Sequence, residues 1–129
     1  MDMIRFPVFT IGSAWKEEYG DPQNNSADYN YIMGYSPLHS IPNDKSYPYP
    51  NMLVLTADHD DRVVPAHSYK FISELQHKRG QLSNTPLLIR IDHNSGHGAG
   101  KPLKKWIEEN TDISLFLIKS MNGRYKFVP

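Results

Sequence analysis

The stretch MLVLTADHDDRVVP, residues 52–65, decides the fold of this sequence. Its apolar run, Met52 to Thr56, is typical of a short strand that is buried on both faces of a parallel sheet. A run of charged and imidazole side chains, Asp58 to Arg62, follows directly. Because burying charge is costly unless the charge is paired or used, this cluster at the end of the strand is a candidate functional site.

Downstream of this stretch, the spacing of apolar residues predicts a helix. Pro65 stands near its first turn, where the missing N–H of proline is tolerated. Tyr69, Ile72 and Leu75 form an apolar stripe at helical spacing, and Gly80 ends the helix.

A second strand and a second helix complete the pattern. PLLIRID, residues 86–92, predicts the strand, and the glycine-rich turn SGHGAG, residues 95–100, leads into a long helix from about Pro102 to Met121. We expect Gly123 to terminate this helix. Strand, helix, strand, helix is typical of α/β architecture with a parallel sheet. The long helix carries one broad apolar face, formed by Leu103, Trp106, Ile107, Ile113, Phe116 and Leu117.

The first fifty residues differ from the rest. They hold six of the ten prolines and polar stretches such as DPQNNS, residues 21–26, which predict loops. One short helix is predicted from about Ser26 to Met33, with Ser26 as its N-cap and Gly34 as its stop. We therefore distinguish a loop-rich segment, 1–50, from a regular segment, 51–129, and expect both to belong to one domain.

The composition is that of a neutral chain without cysteine. The 14 basic and 14 acidic residues leave no net charge, so nothing indicates a nucleic-acid or membrane-surface partner. Without cysteine these 129 residues offer no disulfide, thiol nucleophile or thiolate metal site, and we expect a cytoplasmic location. The start MDMIRFPVFT has no long apolar core, so we expect no signal peptide, and no window approaches the roughly 18 apolar residues of a membrane span.

Each predicted strand is followed by a turn that carries titratable side chains. Ligands bind at this edge of open α/β sheets. Acids come after the first strand, and His93 and His97 come after the second. This order matches the last two members of an α/β-hydrolase triad, in which an acid orients a histidine that acts as the base. The nucleophile motif Gly-x-Ser-x-Gly is absent, and the nearest stretches, GSA at 12–14 and GYSPL at 34–38, do not fit it.

Other interpretations of these turns remain open. An aspartate after a strand is often a turn former, and a histidine in a glycine-rich turn often has no special role. Oxygen and imidazole ligands from Asp58, His59, Asp60, His93 and His97 could hold zinc or manganese, although the glycines argue against a helix that would align the last two. GHGAGK, residues 96–101, is not a phosphate loop, because its glycines are too close and proline follows the lysine.

Long stretches of the chain resemble the prolyl oligopeptidases, serine peptidases with an α/β-hydrolase domain and a β-propeller. The acid and histidine segments of that family are similar to LVLTADHDDRVVP at 53–65, SYKF at 68–71 and SGHGAGKP at 95–102. MDM, TIGSAW, YG and YSPLH resemble further family segments, in the same order, within the first forty residues. The resemblance covers nearly the whole chain and implies the C-terminal portion of an α/β-hydrolase fold, with its last two parallel strands and their helices.

The resemblance implies roles for individual residues. Asp60 matches the triad aspartate and His97 matches the triad histidine. Arg62 matches an arginine that binds a substrate backbone carbonyl, which suits the fixed donor fork of a guanidinium group. Asp58, His59 and Asp61 are left as structural supports. Trp15 matches an indole that stacks on the substrate proline, and Tyr19 and Val63 match walls of the same pocket, although core packing is the simpler role for Trp15.

The implied activity is that of a serine endopeptidase that cleaves short, proline-containing peptides after proline, without a cofactor. The family's serine motif lies upstream of the segment that begins at Met1, so we expect the missing N-terminal part of the peptidase domain as a partner. On this view the isolated chain is inactive and marginally folded, because it lacks the nucleophile and leaves strand edges unpaired. The alternative is a catalytically inactive module that binds a peptide or a partner, and a metal-binding module is a third hypothesis.

Overall fold

The regular half of the chain folds as strand, helix, strand, helix. The structure is a computed structural model that describes residues 1–44, 46, 49–80, 85–98 and 100–121. Strand β1 spans Met52–Ala57 and strand β2 spans Leu87–Asp92, with helix α3, Ala66–Arg79, between them and helix α4, Leu103–Ser120, after them. The predicted α/β order is therefore confirmed. Gly123, the expected end of the last helix, lies outside the described residues.

The two strands pair in parallel and end level with each other. Met52 stands opposite Leu87, and Ala57 stands opposite Asp92. The turn after each strand therefore begins at the same height, and the backbone N–H of Asp58 donates to the Asp92 carbonyl at 3.1 Å. Parallel pairing in this register places both charged turns side by side at one edge of the sheet.

The main core lies between α3 and one face of the sheet. Ile72 and Leu75 of the predicted stripe are buried with Ile41 and Leu87, while Tyr69 is half-buried. The expectation that β1 is buried on both faces is wrong, because Leu55 on the other face is 43% exposed. Within the described residues β1 pairs with β2 along one edge, and α3 packs against one face of the sheet.

Helix α4 covers the second face of the sheet loosely. The apolar face predicted for it is divided, because Ile113 and Phe116 are half-buried whereas Leu103 is exposed, and none of its residues is fully buried. Trp106 is 47% exposed and Ile107 is 58% exposed. Polar contacts hold the helix instead, since Arg90 of β2 pairs with Glu109 and Asp112.

The loop-rich half contains more helix than predicted. Short 3-10 helices span Phe6–Val8 and Thr10–Trp15, followed by α1, Lys16–Tyr19, and α2, Ser26–Met33. The expectation of a single helix is therefore wrong. Buried side chains of Met3, Ile4, Phe6 and Ile32 form the core of this half.

The N-cap of α2 is Asn25, not Ser26 as predicted. Asn25 has extended backbone geometry, and its side-chain oxygen accepts the N–H groups of Ala27 at 2.9 Å and Asp28 at 3.4 Å. Both Asn and Ser are good N-caps, so composition does not separate two neighbouring candidates. Gly34 follows the last helical residue, as predicted.

Asp2 joins the two halves of the chain. Its fully buried carboxylate accepts Arg5 Nη1 at 3.0 Å and pairs with Lys70 of α3, and its own N–H donates to His67 Nδ1 at 3.1 Å. Burial alone would raise the pKa of Asp2, but the bonds from Lys70 and Arg5 hold that pKa below its ordinary value. The N-terminal segment is thus docked on α3. In the described part of the chain, no helix is long and apolar enough to cross a membrane.

The substitution Asp2→Asn tests this docking contact. It removes the buried carboxylate that holds Lys70, whose own side chain is 36% exposed and can be solvated, so we expect the free energy of unfolding at pH 7 to fall by about 2 kcal/mol through the lost charged hydrogen bonds. Urea unfolding followed by circular dichroism measures the change. The matched control is Asp112→Asn, whose carboxylate is 54% exposed and should lose less than about 1 kcal/mol. Equal losses in the two variants would contradict the assignment.

Candidate active site

Asp60 and His97 meet at the carboxyl ends of the two strands. His97 Nδ1 lies 2.8 Å from Oδ2 and 3.0 Å from Oδ1 of Asp60. The Asp60 side chain is 12% exposed, whereas that of His97 is 47% exposed. With Nδ1 engaged by the carboxylate, a neutral imidazole keeps its lone pair on Nε2. The pair therefore presents a base on an accessible ring.

The carboxylate of Asp60 also forms its own turn. Its Oδ1 accepts the backbone N–H of Val63 at 2.8 Å and that of Arg62 at 3.0 Å. Burial alone would raise the pKa of Asp60, but these bonds, together with the bond from His97, hold the pKa below its ordinary value. The turn-forming role considered from the sequence is thus present alongside the contact with His97.

Asp58 ties the two turns together. Its Oδ1 lies 2.6 Å from His59 Nδ1 and accepts the Ser95 N–H at 3.3 Å, and its Oδ2 lies 3.2 Å from His93 Nδ1. The hydrogen bond with His59 is the largest cause that holds the pKa of Asp58 well below its usual range. Asp58 therefore acts as a structural support, as expected.

The metal hypothesis receives no support from this arrangement. Asp58 contacts His59 and His93, while Asp60 contacts His97. In the part of the chain that the structure describes, no group of three or more His, Asp or Glu side chains is arranged to hold a metal ion.

Two lysines, Lys105 in α4 and Lys101 before it, contact the end of β2 and the turn that follows it. Neither lysine was singled out from the sequence. Lys105 donates to the carbonyl of His93, to that of Asn94 at 3.2 Å and to Ser95 Oγ at 2.7 Å. Lys101 lies 2.8 Å from the buried carboxylate of Asp92. The sequence did contain a signal for Lys105. A lysine in the first turn of a helix is unfavourable next to the positive end of the helix dipole, so its presence there indicates a partner elsewhere in the fold.

The residues predicted to bind substrate fall into two groups. Trp15 is half-buried and packs against the core around Phe6, and Tyr19 is 42% exposed with its ring centroid 5.9 Å from that of Phe6. Trp15 therefore has the core-packing role, although the residue as a whole is only half-buried. Arg62 is exposed, and Val63 is half-buried beside the Asp60 turn. Thr10 Oγ1 links the groups by donating to the Arg62 carbonyl at 3.3 Å.

The serine of GYSPL has a structural role. Ser36 is fully buried, its Oγ accepts the Met3 N–H at 3.1 Å, and the same atom lies 2.8 Å from His39 Nδ1. A hydroxyl that is enclosed in this way cannot reach an external substrate. Ser36 stabilises the N-terminal core and is not a nucleophile.

Comparison with known proteins gives one consistent family. The model of the prolyl oligopeptidase family matches residues 1–124. A prolyl endopeptidase of Dictyostelium discoideum is 52% identical over 127 residues, which cover 98% of this chain and 16% of that protein. The chain thus spans about one sixth of the length of this relative.

Solved structures agree in fold. A structure from a study of two prolyl endopeptidases superposes with a TM-score of 0.86 at 35% identity, over 96% of this chain and 18% of its own. Prolyl oligopeptidase B of Galerina marginata, bound to a 35mer hydrolysis and macrocyclization substrate, superposes with a TM-score of 0.85 at 39% identity. The match covers 97% of this chain and 17% of the Galerina chain. Substrate-bound variants of the Galerina protein carry alanine in place of a histidine, a serine or an aspartate.

Stability against pH tests the environment of Asp60. Because its pKa in the folded chain is depressed, its stabilising contribution is present above the ordinary carboxyl pKa of about 3.9 and is lost as the pH falls through the folded value. We expect Asp60→Asn to unfold more easily than the wild type at pH 6, and the difference to shrink below about pH 4. Urea unfolding at several pH values measures this, with the exposed neighbour Asp61→Asn as control. A difference that does not depend on pH would refute the interpretation.

Proposed function

This chain belongs to the prolyl oligopeptidase family, and we propose that it supplies the acid and the base of a serine endopeptidase that cleaves short peptides after proline. The observation that carries the proposal is the contact of His97 Nδ1 with the Asp60 carboxylate at 2.8 Å, at the edge of the sheet where such enzymes hold their sites. The mutated aspartate and histidine of the Galerina protein lie 37 residues apart, as do Asp60 and His97.

His97 acts as general base and then as general acid. Its Nε2 takes the proton from a serine hydroxyl as that oxygen attacks the peptide carbonyl, and later gives the proton to the leaving amine. Asp60 fixes the tautomer through Nδ1 and stabilises the imidazolium that forms. The depressed pKa of Asp60 keeps its carboxylate charged, as this role needs.

The serine and the oxyanion donors come from the upstream part of the peptidase domain. No Gly-x-Ser-x-Gly occurs in the 129 residues. The mutated serine of the Galerina protein precedes its mutated aspartate by more residues than stand before Asp60 here. The exposed apolar face of α4 and the exposed Leu55 of β1 provide surface for that part of the domain to cover.

Substrate recognition uses the two groups of residues predicted to bind substrate. The guanidinium of Arg62, an exposed residue, binds a backbone carbonyl of the peptide, and the indole of half-buried Trp15 stacks on the proline ring. Tyr19 and Val63 line the sides of that pocket. Proline-containing peptides are thus the proposed substrates, with no cofactor, in the cytoplasm.

The test is activity of the peptidase completed with its upstream coding sequence. We expect the complete protein to react with a fluorophosphonate probe and to cleave a proline peptide, whereas the 129-residue chain does neither. His97→Ala and Asp60→Asn should each lower kcat by about 10⁴-fold or more. Lys104→Ala, at a side chain that is 87% exposed, is the matched control and should leave kcat unchanged.

Two results would overturn the proposal. A complete protein that carries the serine but cleaves no proline peptide would remove the assigned activity, and a His97→Ala variant with full activity would remove the assigned base. If the 129-residue chain binds a proline peptide in calorimetry while the complete protein stays inactive, the chain is a binding module instead.

A further inference from the structure

Thr10 adopts a backbone conformation that costs free energy. Its φ is +40°, in the left-handed region, where a β-branched residue is a genuine outlier. Asn94 also has positive φ, but asparagine tolerates that region through local hydrogen bonds. Such strain persists where the surrounding structure over-determines it, and it clusters at functional sites. Thr10 is also the first residue of the 3-10 helix that ends at Trp15.

The residues around Thr10 hold the strained conformation in place. The Gly12 N–H donates to the Phe9 carbonyl at 2.7 Å, which closes a tight turn over Thr10. The Phe9 ring meets buried His67 edge-on, with 5.2 Å between ring centroids. Gly12 lies so close to the Phe6 carbonyl that a Cβ at that position would be 1.9 Å from its oxygen. The backbone is therefore held in place by contacts of Phe9 before Thr10 and of Gly12 after it.

The strained conformation allows one contact across the candidate site. Thr10 Oγ1 donates to the Arg62 carbonyl at 3.3 Å, and the Arg62 N–H donates to Asp60 Oδ1 at 3.0 Å. The backbone of Arg62 is thus held on one side by the acid that contacts His97 and on the other side by the segment that carries Trp15. Arg62 itself is an exposed residue.

We propose that Thr10 is a positioning residue that fixes Arg62 relative to the proline pocket at Trp15, and so determines which peptide bond is presented to His97. The inference rests on the proposed function. A peptide held at its proline ring by one segment and at its carbonyl by another is bound in one register only if the two segments keep a fixed separation. Thr10 touches neither the reacting atoms nor His97, so its effect falls on binding and specificity and not on the chemical step.

Substitutions of Thr10 in the complete peptidase test this inference. Thr10→Val keeps the shape and removes the donor, so we expect KM for a proline peptide to rise about fivefold, with kcat within about twofold of the wild type. The preference for proline over alanine at the cleaved position should fall in the same variant. Thr10→Ser keeps the hydroxyl and should restore both values.

Thr10→Gly separates positioning from folding. Glycine adopts positive φ without strain, and this relief offsets the greater freedom that glycine gives the unfolded chain, so the variant should unfold at about the same urea concentration as the wild type. It lacks the hydroxyl, however, and should raise KM as Thr10→Val does. A residue with a merely structural role would not combine unchanged stability with weaker, less selective binding.

The outcomes distinguish this inference from the proposed function. An active wild type with unchanged KM and unchanged proline preference in Thr10→Val and Thr10→Gly overturns the positioning role alone. A Thr10→Ser variant that behaves like Thr10→Val also overturns it, because the hydroxyl would then not be the cause. A complete wild-type protein that does not cleave proline peptides overturns both.

Discussion

The register of the parallel pair is the constraint on which the candidate site depends. Because Ala57 stands opposite Asp92, the two following turns leave the sheet at the same height and can exchange hydrogen bonds. The His59 N–H donates to the Ser95 carbonyl at 3.0 Å, next to the bonds that Asp58 makes across the gap. A slip of one residue would turn every side chain of a strand to the opposite face and would separate Asp60 from His97.

The charges at this edge are stabilised in separate groups. Asp58, Asp60 and Asp92 lie at the same edge of the sheet, and carboxylates that crowd together raise each other's pKa. Each has its own donors instead: Asp58 has imidazole and backbone groups, Asp60 has backbone N–H groups and His97, and Asp92 has Lys101. For Asp92, burial alone would raise the pKa, but the bond from Lys101 and others hold it below its ordinary value. The ionised form of all three is therefore favoured, and in that form Asp58 accepts its bonds from both turns and Asp60 accepts its bond from His97.

The location of the buried and the uncovered surfaces explains which part of the candidate site these residues can form by themselves. The contact between Asp60 and His97 needs the two strands and the chain that follows each of them as far as His97, and these parts lie within the described residues. The apolar face of α4 and the outer face of β1 need further elements to cover them, and the chain spans about one sixth of the length of its Dictyostelium relative. The polar half of the site is thus assembled here, while much of the apolar surface that stabilises such a fold is not covered within the described residues.

Local sequence determined the strands, the longer helices and the identity of the charged turns. An apolar run, a helical stripe such as Ile72 and Leu75, and a stop such as Gly34 act through neighbours in the chain, so their signals are visible in the sequence. The order of acid and histidine after successive strands also indicated an acid–histidine pair, because parallel strands end at a common edge. The family resemblance, and not this order, singled out Asp60 and His97 among the acids and histidines of the two turns.

Only the tertiary structure decided the features that depend on distant partners. The short 3-10 helices have no periodic pattern of their own. Asn25 rather than Ser26 is the N-cap because Asn25 is the residue with extended backbone geometry. The exposure of α4 depends on which elements are present to cover it. The contact of Thr10 with Arg62, 52 residues away, comes from a conformation that local preference opposes. Packing holds threonine there, and residue type alone would not have predicted it.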